Sequence, residues 1–122
     1  MGFIDENLHA CAALGEVGLD YKVNVRKALQ IAVFKEVLDL ARKHQKPVNV
    51  HCRYAFEKAL AMAIEAGVSK AVFHWYSGPL DILDQMIDHG FLISATPALA
   101  TSQPHCAAVE RAPLNRILVE TD

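Results

Sequence analysis

The feature that most constrains the fold is a regular alternation of short apolar segments with longer segments of helical periodicity. Five apolar segments are predicted as strands: AALGEVGL, KPVNVH, KAVFHW, FLISAT and ILVET. The segments between them place apolar residues on one face of a helix; in the longest, this face is predicted to hold Leu29, Val33, Val37, Leu40 and Ala41. Strand–helix alternation predicts an α/β fold with a parallel sheet, either open or closed into a barrel. No linker or repeat interrupts it, so residues 1–122 are predicted to form one domain.

Polar residues stand where the predicted strands end, which is where parallel α/β proteins place their chemistry. The first strand is predicted to end on Glu16, the second on His51, the third on His74, and the last on Glu120 and Asp122. Taken singly, a histidine in an apolar strand is usually a core residue with one hydrogen bond. Together, unpaired imidazoles and carboxylates at one mouth would be costly to bury, and a divalent cation removes that cost. The pattern therefore favours a metal site.

Two histidines and a glutamate form a ligand set that leaves one coordination position open for water. A metal there would lower the pKa of that water and produce hydroxide near neutral pH. A second carboxylate would hold a second metal or take the water's proton. The pattern predicts hydrolysis of an ester or phosphodiester, with zinc, manganese, iron or cobalt better suited to imidazole than magnesium.

Composition excludes several classes of protein. Twelve basic against 14 acidic residues give a net charge of −2, which argues against a nucleic-acid surface held by charge alone. No apolar run approaches the ~20 residues of a membrane span, and the acidic start lacks the basic region of a signal peptide. The three cysteines form no CxxC pair, as is typical of a reduced, cytoplasmic protein.

Four motifs follow one another in order: GEVGLD, VHCR, HWYSG and ETD. With these motifs the chain resembles the TatD family of metal-dependent deoxyribonucleases, within the amidohydrolase-like TIM-barrel superfamily. The resemblance covers nearly the whole chain. It implies a (β/α)8 TIM barrel of the metal-dependent hydrolase type, of which these five parallel strands, with their intervening helices, would be the fourth to the eighth.

The resemblance also implies roles for individual residues. Glu16 would bridge two divalent metal ions (Mg, Mn or Zn), and His51 and His74 would complete one of the two sites. Asp122 would bind the other ion and orient or deprotonate the attacking water. Asp20 would have a supporting role near Glu16. Residues expected to shape the mouth and approach a phosphate of the DNA substrate are Arg53, Ser77 and Gly78.

The chain departs from the family pattern in several places. It has no HxH pair, which the family carries on its first strand, and it lacks the helices after ETD. Tyr54 stands where the family often has Asp, and Trp75 and Tyr76 stand where it often has Cys-Phe. We therefore expect an incomplete barrel, from a fragment or a truncated gene product, that binds about one metal and has little nuclease activity. Its exposed sheet edges predict self-association.

Other functions remain open at this point. The substrate could be another phosphodiester, or an ester of a nucleotide or tRNA. A second hypothesis is a non-catalytic half-barrel that serves as an interaction module. A third is a thiol enzyme that uses Cys52 beside His51, but adjacent residues of a strand point to opposite faces and cannot meet as nucleophile and base.

Overall fold

The computed structural model describes residues 1–122 and contains one five-stranded sheet. All four neighbouring strand pairs are parallel, and the spatial order β1-β2-β3-β4-β5 follows the chain. The strands are β1 (Leu14–Asp20), β2 (Val48–Arg53), β3 (Ala71–Phe73), β4 (Leu92–Ala95) and β5 (Ile117–Val119). The predicted parallel α/β architecture is confirmed.

A helix joins each strand to the next. The α-helices are α1 (Gly2–Asn7), α2 (Lys27–Lys43), α3 (Phe56–Glu65), α4 (Leu80–Asp88) and α5 (Gln103–Arg111). Short 3-10 turns occupy Leu8–Ala10, Pro97–Ala100 and Leu114–Arg116. Ser102 caps α5 through its hydroxyl, which accepts a hydrogen bond from the His105 N–H. None of the helices combines the length and the apolar character needed to cross a membrane.

The main core is a cluster of 22 buried residues contributed mostly by strands β1 to β4 and by helices α2 to α5. In β2, Val48 and Val50 are buried in this core and Cys52 packs against it. Asn49 and His51 alternate with them and therefore point to the other face of the sheet. This alternation confirms that Cys52 and His51 lie on opposite faces.

The predicted buried face of α2 is wrong at two positions. Leu29 and Val33 are 51% and 45% exposed. The residues that α2 buries are Phe34, Val37, Leu38 and Ala41. Both sets have helical spacing, but the second contains the bulky Phe34, and the helix turns so that this ring enters the core.

Strand β1 is longer and less regular than predicted. It continues past Glu16 to Asp20, and its register against β2 shifts between Leu14 and Val17. Gly18 lies opposite His51, and a Cβ atom at Gly18 would lie 1.8 Å from the His51 carbonyl oxygen. Only glycine allows β1 to approach β2 this closely.

Candidate metal centre

Three ligand atoms from three successive segments meet on the face of the sheet opposite the main core. Oε1 of Glu16 lies 2.8 Å from Nδ1 of His51 and 2.6 Å from Nε2 of His74. The two ring nitrogens are 3.2 Å apart. His51 and His74 lie level because Val50 pairs with Phe73 in the parallel ladder. Glu16 joins them from within β1, not from its end as predicted.

The spacing of these atoms fits a small divalent cation. Donors bound tetrahedrally at about 2.1 Å from a zinc ion stand roughly 3.4 Å from one another. The observed spacings of 2.6–3.2 Å need to widen by only part of an ångström. The Glu16 side chain is 45% exposed, so it is free to make that adjustment. The donor set of two imidazoles and a carboxylate therefore suits such an ion.

The second nitrogen of each imidazole faces a carboxylate. Nε2 of His51 lies 3.1 Å from Oδ2 of Asp20. Nδ1 of His74 lies 3.6 Å from Glu120 and 3.7 Å from Asp122. A proton on these outer nitrogens leaves the inner nitrogens with lone pairs directed at the centre, as in carboxylate–histidine–metal sites.

Asp20 is itself held firmly. Its Oδ1 accepts a hydrogen bond of 2.9 Å from the Lys22 N–H. The Gln30 side chain bonds both the backbone N–H and the carbonyl of Asp20, at 2.8 Å and 2.9 Å. Burial by itself raises the pKa of the Asp20 carboxyl, but the hydrogen bonds from Lys22 and His51 and the charge of Arg53 outweigh it, so the pKa lies below its usual range. The Asp20 carboxylate thus contacts the Lys22 N–H through one oxygen, and His51 and Arg53 through the other.

A second cluster lies on the other side of the His74 ring. Ligand atoms of His74, Glu120 and Asp122 all lie within 4.8 Å of one another. Glu120 also accepts a hydrogen bond from the Ser94 hydroxyl, whose oxygen in turn accepts one of 2.9 Å from the Trp75 N–H. Ser94, in β4, therefore links Glu120, which follows β5, to the segment that follows β3.

Sequence reasoning missed part of this arrangement. It placed Glu120 at a strand end without a role, and it passed over Ser94. Two signals were available. Glu120 and Asp122 are two residues apart, so an extended chain directs them to the same side. Ser94 is the one polar side chain in the apolar segment FLISA.

The cluster opens into a cavity of about 980 Å³. Every predicted site residue except Asp20 lines it: Glu16, His51, Arg53, His74, Ser77, Gly78 and Asp122. Lys22, Tyr54 and Trp75 also contribute to its wall. Gly78 is required by close packing, since a Cβ there would lie 2.7 Å from the Phe56 ring. The cavity brings cationic, hydroxyl and backbone groups together beside the candidate ligands.

Cys52 is poorly suited to nucleophilic chemistry. Its burial raises the pKa of the thiol to about 12, so the thiol is protonated at neutral pH. It also packs against the main core, on the face of β2 opposite His51, and reaches only the wall of the cavity. Both observations argue against the thiol-enzyme hypothesis.

Comparisons with known proteins agree with the motifs. The chain matches the family described as TatD related DNase over residues 4–122. An uncharacterized metal-dependent hydrolase of Buchnera aphidicola is 36% identical over 115 residues, which cover 90% of this chain and 44% of that protein. A protein of Edwardsiella piscicida named 3'-5' ssDNA/RNA exonuclease TatD is 35% identical over 120 residues, covering 93% and 46%. The human Deoxyribonuclease TATDN3 is 30% identical over 115 residues, covering 90% and 42%.

Solved structures agree as well. A TatD family hydrolase from Entamoeba histolytica superposes with a TM-score of 0.83 at 26% identity, covering 98% of this chain and 41% of that one. A TatD homologue of Escherichia coli gives a TM-score of 0.86 at 23% identity, covering 100% and 52%, and supports the fold alone. The chain spans about half the length of the relatives it matches. The match over residues 4–122 shows that this chain belongs to the TatD family.

Proposed function

We propose that residues 1–122 form one domain of an incomplete TatD-type barrel and supply a metal centre that hydrolyses phosphodiester bonds of DNA. The observation on which this rests is the convergence of Glu16, His51 and His74, whose ligand atoms lie 2.6–3.2 Å apart beside an open cavity. The names of the relatives, a deoxyribonuclease and a single-strand exonuclease among them, support the choice of substrate.

The residues of the site have different roles in the proposed hydrolysis. Glu16, His51 and His74 would hold a divalent cation, which would supply Lewis acidity and lower the pKa of the attacking water toward neutral pH. Asp20 keeps the His51 ring in the orientation that directs Nδ1 at the centre. Asp122 is 55% exposed and lines the cavity, where its carboxylate is available to accept a proton from the attacking water.

Three further residues of the cavity wall suit a phosphate group. The Arg53 guanidinium is 45% exposed and presents several N–H donors to the phosphate oxygens. The Ser77 hydroxyl and the Gly78 backbone lie on the same wall. They orient the phosphodiester against the centre.

We infer about one zinc or manganese ion for this chain, since the imidazole-rich trio suits these metals better than magnesium. Asp122 does not join the trio directly. It stands beside Nδ1 of His74, the nitrogen on the far side of the ring from Glu16. A second ion near Asp122 would need further ligands besides Glu120, and His74 cannot serve two ions while keeping its proton.

Two further proposals, on self-association and on location, draw on the edge of the sheet and on the cysteines. Strand β5 forms one edge of the sheet and exposes 50% of Leu118 and 85% of Val119. We propose that two copies associate through such an edge; light scattering that shows a monomer at all concentrations would contradict this. All three cysteines are free, which suits the reducing cytoplasm.

The direct test compares the chain with Glu16→Gln in the presence of Mg, Mn or Zn. Calorimetry measures metal binding, and a labelled single-stranded DNA measures cleavage. We expect Glu16→Gln to lose metal affinity and any metal-dependent cleavage, whereas Glu65→Gln, an exposed control on α3, should change neither. Equal metal binding and cleavage by the wild type and Glu16→Gln would refute the assignment.

A further inference from the structure

Two large aromatic residues stand beside the metal centre in an uncommon backbone conformation. Tyr54 directly follows β2 with φ +56°, and Trp75 directly follows His74 with φ +47°. Bulky side chains rarely adopt the left-handed region, and residues held there cluster at functional sites. Both aromatic residues occupy it just past two neighbouring strands of the sheet, Tyr54 directly after β2 and Trp75 two residues after the end of β3.

Hydrogen bonds hold both segments in place. The Tyr21 N–H donates to the carbonyl of Arg53, the residue before Tyr54, at 3.0 Å. The Trp75 N–H donates to Oγ of Ser94 at 2.9 Å, and Ser94 is tied to Glu120. These contacts fix the backbone next to each aromatic side chain.

The two rings are directed outward instead of into the core. Tyr54 is 72% exposed and Trp75 is 38% exposed. Both line the cavity that holds the candidate metal ligands. Burial in the core therefore does not account for either ring, and each offers an aromatic face to a molecule that enters the cavity.

Positive charge lies along the same wall. Lys22 and Arg53 both line the cavity. Arg53 lies 3.8 Å from Asp20, whereas the Lys22 ammonium forms no ion pair. One cavity thus combines aromatic faces, which suit bases, with cations, which suit phosphates.

We propose that Tyr54 and Trp75 are stacking platforms for unpaired bases of a single-stranded nucleic acid. Lys22 and Arg53 bind its phosphates on the way to the metal centre. Base–aromatic stacking requires bases whose faces are free, so a duplex does not satisfy this arrangement. This inference rests on the proposed function, because the single strand that stacks on the two rings is taken to be the one whose phosphodiester bond is hydrolysed at the metal centre.

The chain provides its own probe, because Trp75 is its single tryptophan. We would titrate the protein with an oligothymidylate of about ten nucleotides, in EDTA, and follow tryptophan fluorescence. We expect saturable quenching, and much weaker quenching by an abasic oligomer of the same length or by a duplex. Tyr54→Leu should weaken the affinity roughly tenfold, the size typical of one base stacked on one ring.

Further variants distinguish stacking on an aromatic ring from contact with a large aliphatic side chain. Binding by Trp75→Leu is followed by the anisotropy of a labelled oligonucleotide and should also fall roughly tenfold, whereas Tyr54→Phe and Trp75→Phe should keep most of the affinity. Phe3→Leu is the matched control, because Phe3 is 79% exposed on α1, and it should bind like the wild type.

Absence of quenching in the wild type, equal binding of the abasic oligomer, or unchanged affinity in Tyr54→Leu and Trp75→Leu would overturn the proposal. Zinc calorimetry on the same variants tests the metal centre separately, since EDTA removes metal from the stacking assay. Intact zinc binding without base-dependent affinity refutes the stacking alone.

Discussion

The Glu16 carboxylate lies 2.6 Å from Nε2 of His74, although β2 stands between the strands that bring the two residues together. The intervening strand contributes His51, whose Nδ1 lies 2.8 Å from the same Glu16 oxygen. Three consecutive strands of a parallel sheet therefore direct one ligand each to one point. This convergence is the basis of the proposed metal centre.

Asp20→Asn should weaken metal binding without unfolding the chain. The substitution removes the negative charge that faces Nε2 of His51 at 3.1 Å. Loss of such an outer carboxylate typically lowers metal affinity about 10–100-fold. Zinc calorimetry measures the effect, and Asp39→Asn, at a surface ion pair of α2, is the control. An Asp20→Asn protein with wild-type affinity would show that the carboxylate does not position the ring.

Gly18→Ala should destabilise the fold and disturb the centre together. The added Cβ would lie 1.8 Å from the His51 carbonyl oxygen, so β1 and β2 must separate. We expect a loss of roughly 2–3 kcal/mol in the free energy of unfolding, as for overpacked interiors, together with weaker zinc binding. Urea unfolding measures the first effect. Gly2→Ala meets no atom within 4 Å and should behave like the wild type.

The ion pair between Asp84 and Arg111 should make part of the stability pH-dependent. The hydrogen bonds from Arg111 to Asp84, at 3.0 Å and 2.8 Å, hold the pKa of the carboxyl below its usual 3.8. Because the pKa of Asp84 is lower in the folded chain than in the unfolded chain, the ion pair stabilises the fold at pH values above the unfolded pKa. This stabilisation is lost as the pH falls through the folded pKa.

Thermal melting of the wild type and Asp84→Asn measures that contribution. The wild type should melt slightly higher at about pH 6, and the difference should vanish below the folded pKa and shrink in high salt. A difference that persists undiminished in strong acid would contradict the ion-pair explanation.

The cysteines should differ in reactivity. Cys11 is exposed, whereas burial raises the pKa of Cys52 to about 12. Since the thiolate is the reactive form, iodoacetamide at about pH 8 should modify Cys11 and leave Cys52 largely unmodified. Peptide mass spectrometry gives the two rates. Rapid modification of Cys52 in the folded chain would revive a thiol-based mechanism.

The sequence predicted those parts of the site that depend on strand ends alone. His51 and His74 could be assigned because parallel strands bring their carboxyl ends to one edge, although β2 continues past His51 to Arg53 and does not end on it as predicted. The position of Glu16 inside β1 could not, since it follows from a register shift near Leu14 and the close approach at Gly18. Local periodicity predicts neither.

Tertiary contacts explain the other differences between the predicted and the observed structure. The helical spacing of α2 was consistent with two buried faces, and only packing against the sheet selected the one that contains Phe34. The link from Glu120 through Ser94 to Trp75 joins three separate segments. No local pattern indicates such a link, although the polar Ser94 in an apolar strand was a visible sign.

Zinc calorimetry on the wild type and on the double variant His51→Ala with His74→Ala tests the central claim most directly. The wild type should bind about one ion per chain, and the double variant should bind none at the same concentrations. The double variant His9→Ala with His89→Ala, whose residues are exposed, should bind like the wild type. Zinc binding that is unchanged by loss of His51 and His74 would contradict the proposed centre.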